Sequence, residues 1–323
     1  MVALLLLAPA IPELLTGSTP VTTVFYDPFG FLLSFGFDVA LYGTGALLIR
    51  EFAVAFNKGW ASILLLGAAY GIGEEGFAVH TFFESHGSPA DALGVYGHAF
   101  GVNWLWALGL TAFHATYSIA LPILLTQLWF PAVKRARWLD ASAVGVVAVV
   151  YVLTVLTFDL TVGHGPTPAA FAFFAGVVVV LIALAVWAPS DLLRVGAGRA
   201  RIRPVTIALV GSLLFDAWLA VLILSDTPVV PAAVVAAGFV AVGLASIWII
   251  LRRIGADDLE WSKFYFATGM LAILFVWDGI VEFSVPGILL VSAVFIYLLY
   301  RLRNTMRARE AIAPPVGAAL GPA

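Results

Sequence analysis

Glu74 and Glu75 stand side by side in the run Tyr70-Gly71-Ile72-Gly73-Glu74-Glu75-Gly76, and His114 follows 39 residues after Glu75. A carboxylate opposed to an imidazole is a general-base pair able to take a proton from water, or half of a metal site. Four further acids, Asp38, Asp216, Asp278 and Glu282, lie in stretches that are otherwise apolar. No Lys or Arg accompanies them, so His114 is the one potential cation among six carboxylates. A charge at the centre of a membrane helix costs about 2.5–3.5 kcal/mol. Six such groups cannot all be buried, bare and ionised; some must be protonated, line water or hold a cation. Glu75, Glu74 and His114 are therefore the expected catalytic set. Asp38, Asp216, Asp278 and Glu282 are the expected ion or substrate path. A divalent metal, where one binds, would use Glu75 and His114. The chain has no cysteine, which excludes thiolate ligands, disulfides and a cysteine nucleophile.

The elements that must carry these residues are membrane helices. Of 323 residues 62% are hydrophobic and 11% charged, with a mean hydropathy of +1.05. A soluble domain has roughly 25% charged residues, so the solvent here is a bilayer. The net charge of −3 leaves no basic surplus for nucleic acid. About 20 apolar residues make one crossing. On that basis nine spans are expected, at 29–50, 60–83, 103–130, 138–160, 168–188, 204–225, 229–251, 263–283 and 286–302, parted by Pro, Gly and Asp. Residues 1–20 are apolar but short, lack a basic leader and contain Pro9, Pro12 and Glu13. They read as a short crossing or a re-entrant half-helix rather than a signal peptide. The expected fold is thus an all-α, polytopic integral membrane bundle of nine to ten helices, a single transmembrane domain over 1–323. An outer loop is expected at 84–102 and a cytoplasmic tail at 303–323.

All 16 Lys and Arg residues fall at alternate connections or in the tail, from Arg50 and Lys58 to Arg301–Arg309. The intervening connections, 84–102, 161–167, 226–228 and 284–286, hold none. The positive-inside rule makes the basic set, with the C-terminus, cytoplasmic, as in a cell-membrane protein. At about 1.5 Å per residue, Asp38, His114 and Asp216 come near mid-depth, and Glu74, Glu75, Asp278 and Glu282 in the outer half. The spans at 168–188, 229–251 and 286–302 hold no Asp, Glu, His, Lys or Arg in their interiors and read as lipid-facing scaffold. Adjacent glutamates sit about 100° apart on an α-helix, so one would face His114 and the other turn away. His80, His86 and His98 read as solvated loop histidines, and Arg50-Glu51 as an interfacial anchor. Gly71-x-Gly73-x-x-Gly76 matches the dinucleotide pattern but lies within a span, where no strand–turn–helix exists to use it. Ser34-Phe35-Gly36-Phe37-Asp38 echoes Ser212-Leu213-Leu214-Phe215-Asp216 five helices on, a layout compatible with an inverted repeat.

Glu74-Glu75 and His114 resemble the type II CAAX prenyl endopeptidase and bacteriocin-immunity superfamily of intramembrane proteases. Those carry paired glutamates on one helix and a histidine on the next. The resemblance covers residues 60–125 and implies a hydrolase in which glutamate and histidine activate a water. No arginine follows the glutamate pair here, Leu110 stands where that family has phenylalanine, and no later span carries its third histidine motif. Residues 41–51 and 101–104 look like uncharacterised prokaryotic multi-pass proteins. Three readings follow. One is an intramembrane hydrolase acting on a lipid-embedded or small-molecule substrate. The second is a proton- or cation-coupled secondary transporter, and the third a non-catalytic membrane subunit.

Overall fold

Caps and prolines set where the helices begin. Asp27 accepts a hydrogen bond from Gly30 N at 2.9 Å, with Pro28 at the first helical position. Asn103, Asp140 and Thr167 do the same for Trp106, Ala143 and Ala170. Each satisfies an orphan N–H that hydrocarbon could not. The computed structural model describes residues 1–83, 93, 96–162, 165–193, 202–226, 229–253 and 259–312.

The protein is an all-α, polytopic bundle. In chain order its helices are α1 (Val2–Leu14), α2 (Pro28–Ala55), α3 (Trp60–Ile72, prolonged by Gly73–Ala78) and α4 (Trp104–Trp129). Then come α5 (Ala141–Thr161), α6 (Pro168–Trp187), α7 (Pro204–Asp226), α8 (Ala232–Arg253), α9 (Leu259–Ile280) and α10 (Ile288–Ile312). Eight of these, α2 and α4 to α10, are long and apolar enough to cross a bilayer. A short hairpin pairs His98–Ala99 with Val102–Asn103 before α4.

The basic connections meet at one end of the bundle. Lys58 Nζ reaches the carbonyls of Val186 and Ala188, Lys134 pairs with Glu260 at 3.3 Å, and Arg309 donates to the carbonyls of Leu128 and Trp129. The amino group of Met1 lies near Arg50 and Glu51, so α1 starts from this end. At the other end Thr22 Oγ1 donates to the carbonyl of Pro286 at 3.2 Å, and Tyr96 OH to that of Val230 at 2.7 Å. Residues 2–22 therefore pass from one end to the other, although α1 itself spans only about 20 Å. One face of α1 is buried in the bundle: Leu4, Ala8, Ile11 and the following Leu15 are fully buried, Leu4 and Ala8 share a core with Leu41, Leu47, Ile119 and Ile123, and Val2 and Leu6 face outward.

Some expectations are corrected. α10 continues to Ile312 rather than ending at 302, and Ser292 on it bonds Asp278, so this helix is not plain scaffold. α6 and α8 do face outward with few buried side chains, and α5 even more so. Residues 84–92 and 94–95 of the outer loop (including His86), 194–201 and 313–323 lie outside the described residues. Arg50 is buried rather than interfacial because residues 131–139 fold across it. Its guanidinium pairs with Glu51, donates to the carbonyls of Val133, Lys134 and Ala136, and stacks 3.6 Å from the Trp138 ring centroid. Glu51 in turn accepts from the backbone N–H groups of Trp138 and Leu139.

Candidate functional site

Four π-helical segments interrupt the helices among the described residues: Ala10–Leu14, Val39–Gly43, Gly73–Ala78 and His114–Ala120. Each holds a residue of one polar cluster: Glu13, Tyr42, Glu74 with Glu75, and His114 with Ser118. A π-turn widens the helix by one residue and redirects the side chains beyond it, which is why such turns gather at functional sites. The bond from Val79 N to the Glu74 carbonyl, at 2.9 Å, is one such i→i+5 closure.

The two helices α3 and α4 meet closely enough for chemistry because Gly71 offers no side chain. A Cβ there would stand 2.9 Å from His114 Cβ. Across this contact His114 Nε2 lies 2.9 Å from Glu75 Oε1. On the opposite edge of the ring, Nδ1 lies 2.9 Å from Ser118 Oγ and 3.1 Å from Glu74 Oε2. Both glutamates thus converge on one imidazole, contrary to the α-helical expectation that they diverge. The π-turn through Gly73–Ala78 is the reason, since it replaces α-helical spacing at these two positions. Glu74, Glu75, His114 and Ser118 are all buried.

The surrounding groups orient this core. Thr81 donates to Glu75 Oε2, and Trp106 Nε1 donates to Thr81 Oγ1 at 3.1 Å, so a chain of donors fixes the carboxylate. Tyr42 stacks on His114 with ring centroids 5.9 Å apart, and Tyr70 and Phe113 close two further sides. The Tyr42 hydroxyl donates to Glu13 Oε1 at 2.6 Å, and Thr19 donates to Glu13 Oε2 at 3.3 Å. Glu13 is near enough for its charge to act on both Glu75 and His114. Two buried atoms here, Glu74 Oε2 and the Tyr70 hydroxyl, make no hydrogen bond of good geometry, although Oε2 lies 3.1 Å from His114 Nδ1 and the Tyr70 hydroxyl lies beside Glu74.

The remaining acids divide. Asp38 is buried beside Glu13, with Oδ2 unpartnered, so it borders the cluster. Asp216 does not reach it: Ser212 Oγ on its own helix donates to Oδ2 at 2.7 Å, and its nearer neighbour is Tyr117. Asp278 bonds Ser292 and lies near Glu282, forming a separate polar contact between α9 and α10. His80 is buried, with a positive φ of 60°, and its Nε2 lies 3.0 Å from Asp159 Oδ1 on α5. It is no solvated loop histidine, because Asp159 supplies a partner where the sequence suggested open water. Glu13, Tyr42, Tyr70, Ser118 and Thr81 are the residues that sequence reasoning missed. Glu13 alone left a signal, an acid in an apolar run.

Ligand atoms of Glu74, Glu75 and His114 lie within 4.8 Å of one another, so the three could hold a divalent ion. The donor set, two carboxylates and an imidazole, suits zinc or manganese. The imidazole, however, turns a different nitrogen to each carboxylate, and one ion takes only one of them. Where a divalent ion binds, Glu74, Glu75 and one nitrogen of His114 would hold it, and the other nitrogen would give up its carboxylate. A proton needs no such rearrangement.

A family model described as an uncharacterized membrane protein family matches residues 2–317. No curated protein and no solved structure matches the chain.

Proposed function

The chain belongs to that uncharacterized membrane protein family, and on that premise we propose that it is a proton-coupled secondary transporter. The observation that carries the proposal is a single imidazole held between two buried carboxylates, one on each ring nitrogen. In its neutral form His114 donates through Nε2 to Glu75 and accepts the Ser118 hydroxyl proton at Nδ1. A proton added at Nδ1 turns that nitrogen into a donor, and Glu74 Oε2, unpartnered until then, is the acceptor at hand. Loss of the Nε2 proton to Glu75 completes a transfer across the ring. Glu13 and Asp38 extend the acidic series beyond it. Ionisable groups enclosed in a membrane bundle mark ion and proton pathways as a rule.

The test is proton movement into proteoliposomes carrying an internal pH dye, under an imposed gradient of monovalent cations, divalent cations or small organic anions. Wild-type protein should acidify or alkalinise the lumen with at least one of these, and Glu75→Gln and His114→Ala should each remove the signal. A wild type that stays proton-tight across the whole panel would sink the reading.

A second reading, an intramembrane hydrolase, is favoured by the donor chain Trp106–Thr81–Glu75. That chain fixes Glu75 as a general base would need to be fixed. It accords with the endopeptidase-like Glu-Glu and His pattern. Glu75 would take a proton from water with His114 as partner, and any divalent metal would serve by lowering the affinity of that water for its proton. Cleavage of a membrane-embedded fluorogenic peptide, lost on Glu75→Gln, would favour this reading over transport.

A further inference from the structure

Back to back with the polar cluster, on the opposite face of α4, lies an apolar groove of about 390 Å³. Its walls come from α3, α4, α7, α8 and α9, and small residues such as Ala112, Ala115, Gly211, Gly243 and Ser246 create the space. Its position along the bundle is set by its lining. It starts at Leu259, Ser262 and Lys263, at the basic end, and reaches Met270 on the same helix. Eleven helical steps make that about 16 Å, close to half of a hydrocarbon core of about 30 Å. A groove that opens at one interface and stops at mid-membrane has the length of a single leaflet's acyl chain.

The charge at its mouth selects the kind of lipid. Lys263 lines the groove and pairs with Glu260 at 3.0 Å. Lys134 shares the same carboxylate at 3.3 Å. Among the described residues at this rim, two ammonium groups share one carboxylate, an excess of one positive charge beside an apolar slot. We propose that this groove is a binding site for an anionic phospholipid of the cytoplasmic leaflet, its acyl chain along α9 and its phosphate at Lys263. None of the described residues fills the slot, and water has almost nothing to bond inside it. A bilayer supplies the one abundant ligand that is long, apolar and acidic at one end. The proposal does not depend on what the Glu74–His114–Glu75 cluster does.

Trp60 lines the groove and provides the readout. Full-length protein is reconstituted in vesicles containing increasing fractions of phosphatidylglycerol or phosphatidylcholine with dibrominated acyl chains, which quench indole fluorescence on contact. The Trp60 signal is taken as the difference between wild type and Trp60→Phe. An ammonium near the surface contributes about 1 kcal/mol toward an acidic lipid, so quenching should half-saturate at a roughly fivefold lower fraction of the phosphatidylglycerol. Lys263→Gln should bring the two lipids level. Gly243→Leu with Ser246→Leu fills the slot, and a side chain at 243 meets nothing nearer than Leu214 Cδ1 at 3.8 Å. This variant should lose the saturable phase with both lipids. Equal quenching by the two lipids in wild type would overturn the proposal, as would a filled variant that quenches like wild type. Should the filled variant fail to fold, the Lys263→Gln comparison still decides, because selectivity surviving it removes the assigned headgroup site.

Discussion

Glu75→Gln retains an oxygen to accept from Thr81 while removing the site where a proton can rest. Activity in the proteoliposome assay should therefore fall at least about 100-fold with the fold intact, the ordinary weight of a general acid–base group. His114→Ala should fall as far. The double variant should be no worse than either, as expected of groups that act as one unit. Additive losses would mean that the two act separately. Glu74→Gln should be milder, since Ser118 still serves Nδ1. At the border of the cluster, Glu13→Ala leaves the buried Tyr42 hydroxyl without its acceptor. The melting temperature should drop by an amount equivalent to about 1–3 kcal/mol. Asp38→Asn, whose Oδ2 has no donor to lose, should accumulate like wild type.

The helices place these residues through their irregular turns, and the element scale has its own tests. Gly71→Val drives a branched side chain into His114 and Thr111 and should part α3 from α4, removing activity while leaving the helical content by circular dichroism unchanged. Outside the membrane, Asp140 opens α5. The backbone N–H of Ala143, then the Ser142 hydroxyl, hold its carboxyl below the usual aspartate range. A depressed carboxyl stabilises the fold above its unfolded value and loses that contribution as pH falls through the folded one. Thermal stability should thus decline on acidification below about pH 4, and Asp140→Asn should flatten that decline. This scale also shows what a reader of the residues could see. Glu74, Glu75 and His114 were legible because an ionisable group in hydrocarbon is costly and stands out. The π-turns were not, because a one-residue shift leaves no trace in helices that are apolar on every side. Tyr42 and Thr81 are ordinary residues in sequence, and only the turned backbone brings them to the acids.

For the whole molecule the alternation of connections with and without Lys or Arg already pointed to the architecture, and the structure gathers the basic ones at one end. With no native cysteine, single substitutions report sidedness directly. A cysteine at Phe100, which is 92% exposed, should react with an impermeant maleimide in intact cells, and one at Arg135 only after permeabilisation. The reverse pattern would invert the molecule. Tertiary burial was the part hidden from sequence. Arg50 and His80 looked like surface residues because their covers, residues 131–139 and Asp159, are distant along the chain.

The burial of one face of α1 bears on the order of events during synthesis. Its 13 residues leave the ribosome ahead of α2, yet their resting place is walled by Ile119 and Ile123 and completed by His114, which emerges about a hundred residues later. This segment is too short to cross a bilayer by itself and carries Glu13, so it should dock only once α2 to α4 have inserted. The polar cluster is then sealed by a segment made before the helices that wall it. Maturation of the site should lag behind insertion of the helices that form its walls.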